Sequence, residues 1–209
     1  MLIPCAAAAL TLGSSMMAFA ATGWLQEDEI WHYYDRNGDE VTSSWKKSGN
    51  DWFWLDEDGE MAVSQLVEDN DNYYYVDESG VMVRNQWREL ENDDPQDDDE
   101  SDTVWYYFGA DGKAYKAKDS GRVNFKTIVR ADGATKKYAF DEEGKMLYGW
   151  IDEQGERQTG DDAWQTGVYY LGAANDGAMR SHQWERLDVV DDDQTNDEFQ
   201  DWYWFYFNA

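Results

Sequence analysis

WHYYDRNG (31–38), WFWLDEDG (52–59) and YYYVDESG (73–80) are one phrase written three times at a step of 21 residues. Each holds an aromatic run, then an Asp (Asp35, Asp56, Asp77), then a Gly three residues on (Gly38, Gly59, Gly80). A second series, Trp24, Trp45, Leu66 and Trp87, advances by the same step. Two series moving together mark an internal repeat, in which small units bury their faces against neighbours rather than around one centre. Aromatic and β-branched runs favour extended strands. Asp opening and Gly closing a turn suit type I, with the glycine at positive φ. Each phrase therefore reads as a β-hairpin, the run paired through its turn to a short following strand such as Glu60–Val63 or Val81–Val83. A lone hairpin is marginal in water, so the units must stack. The expected fold is all-β, an elongated β-hairpin solenoid.

The phrase continues with wider steps of 32, 32 and 33 residues: WYYF (105–108) leads to Gly112, KYAF (137–140) to Gly144 and VYYL (168–171) to Gly177. WFYF (204–207) starts a seventh unit with no glycine after it. The added length is expected mainly between the tryptophan position and the aromatic run, with acidic insertions near 91–102 and 188–201. The expected organisation is a leader over 1–20, then about six repeats and a cut-off seventh over 21–209.

Side chains alternate across a strand, so each run splits into two pairs. The second and fourth positions are His32/Tyr34, Phe53/Leu55, Tyr74/Val76, Tyr106/Phe108, Tyr138/Phe140, Tyr169/Leu171 and Phe205/Phe207, and these are assigned to the core. The first and third positions carry Trp31/Tyr33, Trp52/Trp54, Tyr73/Tyr75, Trp105/Tyr107 and Trp204/Tyr206, but lapse at Lys137/Ala139 and Val168. A face that tolerates such lapses is assigned to ligand. Three ring faces around a gap hold a quaternary ammonium by cation–π attraction, and the same rings stack on a sugar. Packing alone is the competing account of the same rings.

The 45 acidic against 17 basic residues give a net charge of −28, which repels phosphate backbones and excludes nucleic acid as a partner. Residues 1–20 carry no charge, and Ala18-Phe19-Ala20 fits a signal-peptide cleavage pattern, with Ala21 as mature start, although no Lys or Arg opens the segment. The mature chain is expected to be exported and to lack a membrane span. Cys5 follows Pro4 ahead of the apolar run, which does not fit a lipoprotein anchor, and without Cys5 no disulfide is available. No catalytic constellation is visible around the two histidines, His32 and His182, so no enzyme activity and no cofactor are expected. Asp97-Asp98-Asp99-Glu100 and Asp191-Asp192-Asp193 lack the spacing of a calcium loop and read as solvated loops rather than metal sites.

The order Gly-Trp, spacer, Trp-Tyr-Tyr-Phe-Asp-x-x-Gly, then Met resembles the choline-binding or cell-wall-binding repeat, related to the glucan-binding repeats. Gly23-Trp24 and Gly149-Trp150 keep the pair, Trp105-Tyr106-Tyr107-Phe108 keeps the run, and Met61, Met82, Met146 and Met179 hold the methionine place. The resemblance spans Gly23 to Ala209 and implies ligand sites between consecutive units. Carried over by position, the candidates are Trp24, Trp31, Tyr33 and Trp45, then Trp52 and Trp54, then Tyr73, Tyr75 and Trp87, then Trp105 and Tyr107. Leu66 and Phe125 replace the Gly-Trp tryptophan, and Lys137 and Ala139 remove a pair, so no working cage is expected at the fifth unit and binding is expected before residue 110. The implied function is a non-catalytic binding module at the bacterial cell surface, for choline-bearing wall polymers or glucan. Two other readings remain: the targeting part of a wall hydrolase or glucan synthase whose catalytic domain lies outside this sequence, and a surface adhesin whose rings only pack.

Overall fold

The computed structural model describes residues 22–93, 95, 101–118, 120–160, 162–189 and 202–208. The expected leader, half of the first acidic insertion, most of the second and both candidate calcium runs lie outside the described residues.

The described chain is almost entirely β, as a series of antiparallel hairpins. β1 (Gly23–Glu27) pairs with β2 (Ile30–Tyr34), β3 (Ser44–Ser48) with β4 (Asp51–Leu55), and β5 (Gln65–Asp69) with β6 (Asn72–Val76). β7 (Gln86–Glu91) pairs with β8 (Thr103–Phe108), and β9 (Lys126–Val129) with β10 (Thr135–Tyr138). In the sixth unit β11 (Trp150–Ile151) lies between β12 (Arg157–Gln158) and β13 (Tyr169–Tyr170), with a single helical turn, α1 (Ala163–Thr166), before β13. β14 (Gln183–Asp188) and β15 (Trp202–Phe207) form the last hairpin.

The hairpin is built the other way round from the sequence expectation. The aromatic run pairs with the tryptophan-bearing segment before it: Trp24 faces Tyr33, Trp45 faces Trp54, Leu66 faces Tyr75 and Trp87 faces Tyr107. The segment after the Asp-x-x-Gly turn supplies only a bridge, as in Leu55 with Met61, Val76 with Met82 and Phe140 with Met146. The reason lies in the two-residue loops Asp28-Glu29 and Asn70-Asp71, whose φ values of 47° and 74°, and 50° and 58°, are all positive. That is the type I′ sense, which matches the twist of paired strands, whereas a type I turn splays them.

The Asp-x-x-Gly turn is nonetheless real. Gly59 and Gly80 donate their N–H to the carbonyls of Asp56 and Asp77 at 3.3 and 2.8 Å, with φ of 80° and 76°. The Asp56 carboxylate accepts the N–H groups of Asp58 and Glu60 at 3.0 and 2.9 Å, and Asp77 repeats this with Ser79 and Val81. The same arrangement at Asp35 lowers its pKa, chiefly through the N–H groups of Asp39 and Asn37.

One hydrogen bond recurs from each unit to the next. The N–H groups of Met61, Met82, Ala114, Met146 and Met179 donate to the carbonyls of Trp31, Trp52, Tyr73, Trp105 and Lys137 at 2.8 to 2.9 Å. Apolar clusters form at the same junctions. Val67, Tyr74 and Val76 meet Trp45 and Trp54; Tyr106 and Phe108 meet Leu66 and Tyr75; Tyr138 and Phe140 meet Trp87 and Tyr107. The core assignment of the second and fourth positions therefore holds through the middle of the chain, where Leu55, Val76, Phe108 and Leu171 are fully buried. Ala139 departs from its assignment. It stands at a third position, expected to face ligand, yet is fully buried with Ile151 and Leu171. A methyl group in place of a ring lets the next unit close onto it.

The added length lies at the hairpin tip in the fourth unit, where the Asn92 N–H reaches the Asp102 carbonyl at 2.9 Å. In the fifth unit it is divided between the tip and the connector leading to Phe125. Among the described residues no helix is long and apolar enough to cross a membrane.

Candidate ligand-binding site

Because the lead tryptophan pairs with the third position of its own run, its ring is free to reach forward to the next unit. Trp24 meets Phe53 at 5.3 Å between centroids and 71° between planes. Trp45 meets Tyr74 at 5.0 Å and 60°, and Trp87 meets Tyr138 at 4.9 Å and 63°. Phe125 does the same with Tyr169 at 5.1 Å and 75°, and Trp150 with Phe205 at 5.3 Å and 63°. Each forward contact is an edge-on ring pair, the arrangement the ring quadrupoles favour.

Between units four and five these rings line an open cavity of about 210 Å3. Trp87, Trp105, Tyr138 and Met146 form its apolar part, and Arg130, Ala131, Asn175 and Asp176 the rest. Trp105 stands 6.4 Å from Trp87 at 75°, so the two indoles form a corner. The Met146 N–H bond to the Trp105 carbonyl, at 2.8 Å, fixes the thioether beside that corner. Asp176 is held by Arg180 at 2.6 Å. Tyr107 does not line the cavity; it stacks between Trp87 and Tyr115, 5.1 Å from each.

The cavity thus takes its parts from four positions: the lead residue and first-position ring of one unit, and the second-position ring and methionine of the next. The set is complete as Trp24, Trp31, Phe53 and Met61, as Trp45, Trp52, Tyr74 and Met82, and as Trp87, Trp105, Tyr138 and Met146. At the third junction Leu66 and Ala114 stand in for the lead tryptophan and the methionine, which leaves Tyr73 alone with Tyr106. At the fifth, Phe125 stands in for the lead tryptophan but keeps a ring, and Lys137 removes the first ring, beside Tyr169 and Met179. At the sixth, Val168 replaces the first ring and is exposed.

The structure groups the sequence candidates differently from the expectation. Tyr33 pairs with Trp24 at 5.3 Å, while Trp45, expected beside Trp31 and Tyr33, packs on Trp54 of its own hairpin and forward on Tyr74. The third-position rings lie on the flank of the lead residue, where basic side chains cover two of them: Lys46 lies 5.3 Å from the Tyr33 centroid and Arg88 5.8 Å from that of Tyr75. Lys47 lies 5.9 Å from the Trp52 centroid. Binding is expected to concentrate before residue 110, and the cavity between units four and five also draws on residues as late as Asp176. Phe53, Tyr74, Tyr138 and the methionines were left out of the candidates. A signal for them was present, because the fourth position turns aliphatic at Leu55, Val76 and Leu171 while the second keeps a benzene or phenol ring everywhere after His32.

A choline-binding repeat model matches residues 41–87, and a cell wall binding repeat model matches 22–39 and 101–114. Among solved structures the chain is similar to CbpJ from Streptococcus pneumoniae TIGR4, with 22% identity over 78% of this chain and 43% of that one, at a TM-score of 0.49. It is similar to the modular autolysin LytC from Streptococcus pneumoniae, with 21% identity over 77% of this chain and 28% of that one, at a TM-score of 0.48. It is also similar to the choline binding domain of Spr1274 in Streptococcus pneumoniae, with 26% identity over 46% of this chain and 95% of that one, at a TM-score of 0.34. The chain thus spans less than half the length of CbpJ and of LytC. No curated protein matches it.

Proposed function

We propose that this chain of choline-binding-type repeats is a non-catalytic attachment module that stacks its hairpins as a β-solenoid and holds the choline groups of wall polymers at the bacterial cell surface. The recurring hydrogen bond from each methionine-position N–H to the preceding unit supports the stacking. The cavity walled by Trp87, Trp105, Tyr138 and Met146 carries the functional reading. A quaternary ammonium offers no hydrogen-bond donor, so rings and a thioether satisfy it while excluding water. At 210 Å3 the space lies below the roughly 300 Å3 at which small-molecule pockets begin, which suits a headgroup better than a glycan chain. The net charge of −28 adds long-range attraction for a polymer bearing cations. The lining offers no nucleophile, and its carboxylate is engaged by Arg180, which favours binding over chemistry.

The test is retention of the full chain on a choline-bearing resin with elution by free choline, together with titration by choline and by an α-glucan. Choline is expected to elute the protein and to shift its tryptophan fluorescence. Response to glucan alone would overturn the reading.

A further inference from the structure

We infer that a second site, formed where units four, five and six meet the connector before Phe125, takes a short neutral oligosaccharide. An open cavity of about 820 Å3 lies there, within the roughly 300 to 1,000 Å3 typical of ligand pockets. Its walls come from the hairpin tip of unit four (Asn92, Ser101), from the connector (Ser120, Arg122, Asn124) and from turns of units five and six. The site stands apart from the ring cage. Met146 borders both, but Trp87, Trp105 and Tyr138 line only the smaller cavity.

The frame is held before any ligand arrives. The Ala117 N–H donates to the Asp141 carbonyl at 2.7 Å and the Val123 N–H to the Glu153 carbonyl at 2.9 Å, which ties the connector to turns of units five and six. The Ser101 N–H donates to the Tyr148 hydroxyl at 3.1 Å, and the Arg157 guanidinium lies 4.3 Å from the Tyr148 centroid. Three consecutive units are therefore pinned around one space, and a preorganised wall loses little freedom on binding.

The chemistry of the walls selects the ligand. Four basic side chains, Lys118, Arg122, Lys145 and Arg157, offset four carboxylates that include Asp141 and Glu143, although the whole chain carries −28. The cavity therefore favours neither sign of charge. Among the described residues, Lys118, Arg122 and Lys145 close no ion pair with those carboxylates, so donors and acceptors both remain to be used. The amides of Asn124 and Gln154 add neutral partners. The Asn124 Nδ2 is buried without a hydrogen-bond partner among the described residues, a state that folded proteins seldom tolerate. A wall with many donors and acceptors and no net charge matches a polyol, whose hydroxyls each give and accept a hydrogen bond. A peptide more often adds to a free sheet edge, whereas these walls are chiefly tip, connector and turns.

The experiment follows two reporters in the full chain: the amide resonances of Gly121 and Gly155, which line this cavity, and the indole resonance of Trp105, which lines the cage. The probes are maltotetraose, chitotetraose, a tetrapeptide with blocked ends, and choline. At least one tetrasaccharide is expected to shift both glycines and leave Trp105 in place. Arg122→Ser removes a charged donor and should weaken that saccharide about tenfold. Gln154→Trp fills the cavity from the turn of unit six and should abolish saccharide binding. Both variants should bind choline as the parent does and melt with it; if Gln154→Trp melts lower, Arg122→Ser carries the test. Glycines that respond to neither saccharide, or to the peptide alone, overturn the inference, as does unchanged saccharide affinity in Arg122→Ser. Choline binding without saccharide binding removes this inference and leaves the attachment reading intact. Saccharide binding at the glycines with Trp105 silent to choline supports the inference and removes that reading.

Discussion

Trp105→Leu and Tyr107→Leu differ by two positions on one strand and are expected to do opposite things. Trp105 lines the cavity at the corner it makes with Trp87, and Leu in its place keeps apolar bulk but removes a ring face. A cation–π face in a partly desolvated cage contributes between ~1.4 and ~2 kcal/mol, so Kd for choline at this junction should rise roughly ten- to thirtyfold. The hydrogen bond from Met146 is to the Trp105 main-chain carbonyl and survives the change. Tyr107 stacks on Trp87 and Tyr115 without lining the cavity, so its loss should cost stability instead. Two lost ring pairs and the packing beneath them amount to ~1 to 3 kcal/mol, with less than about a twofold effect on Kd. The Trp87 indole 15N resonance reports choline affinity in both variants, and urea unfolding reports their stability. If Tyr107→Leu weakens choline as much as Trp105→Leu does, the separation of first from third positions is wrong.

Lys137→Trp should add a binding site, because the fifth junction already holds Phe125, Tyr169 and Met179; calorimetry is expected to give one more choline per chain, and unchanged stoichiometry would count against the four-position rule. Lys47→Gln should tighten choline at the second junction, since the ammonium 5.9 Å from the Trp52 ring competes with the ligand; the Trp52 indole resonance reads this, and weaker binding would refute it. Burial raises the Asp141 pKa from 3.8 to about 6. The folded state then holds this proton more tightly than the unfolded one, so stability falls as pH rises from about 4 to 6, and a cost of ~3 kcal/mol persists above that range. Asp141→Asn can still accept the Lys145 N–H, at 2.7 Å in the parent, so the variant should melt higher at pH 7 and show a flatter profile between pH 4 and 6; a parallel profile would show that Asp141 is not responsible.

The repeat, the aromatic-run strands, the Asp-x-x-Gly turns and the buried second and fourth positions of the middle units were legible from spacing, because alternation and turn chemistry are local properties. The choice of strand partner was not. Asp28-Glu29 and Asn70-Asp71 adopt the left-handed turn without the glycine that usually announces it, whereas Asp56 and Gly59 announce a turn that leads only to a bridge. Local preference marked the Asp-x-x-Gly turn, but twist decided that the other turn closes the hairpin. That choice in turn moved the cage. With the run paired backward onto its lead tryptophan, the third position is consumed by that partner, and the ring missing from the cage has to come from the next unit.

A cage assembled across a junction separates what holds the fold from what holds the ligand. The turn aspartate acts within a unit and the fourth-position residue packs across the junction, as Phe108 on Tyr75 and Phe140 on Trp87, while the first-position residue offers its ring to ligand as well as to the core edge and its carbonyl to the stack. Lys137 shows the consequence: its carbonyl still receives the Met179 N–H at 2.9 Å, and Tyr138 beside it still completes the cage of the unit before. A unit can therefore lose its own site while serving its neighbour's. The second position is the exception, since Tyr138 is at once 3% exposed core and a wall of the cavity. Substitutions there should alter stability and affinity together, whereas those at Trp105 or Lys137 should move affinity more than stability.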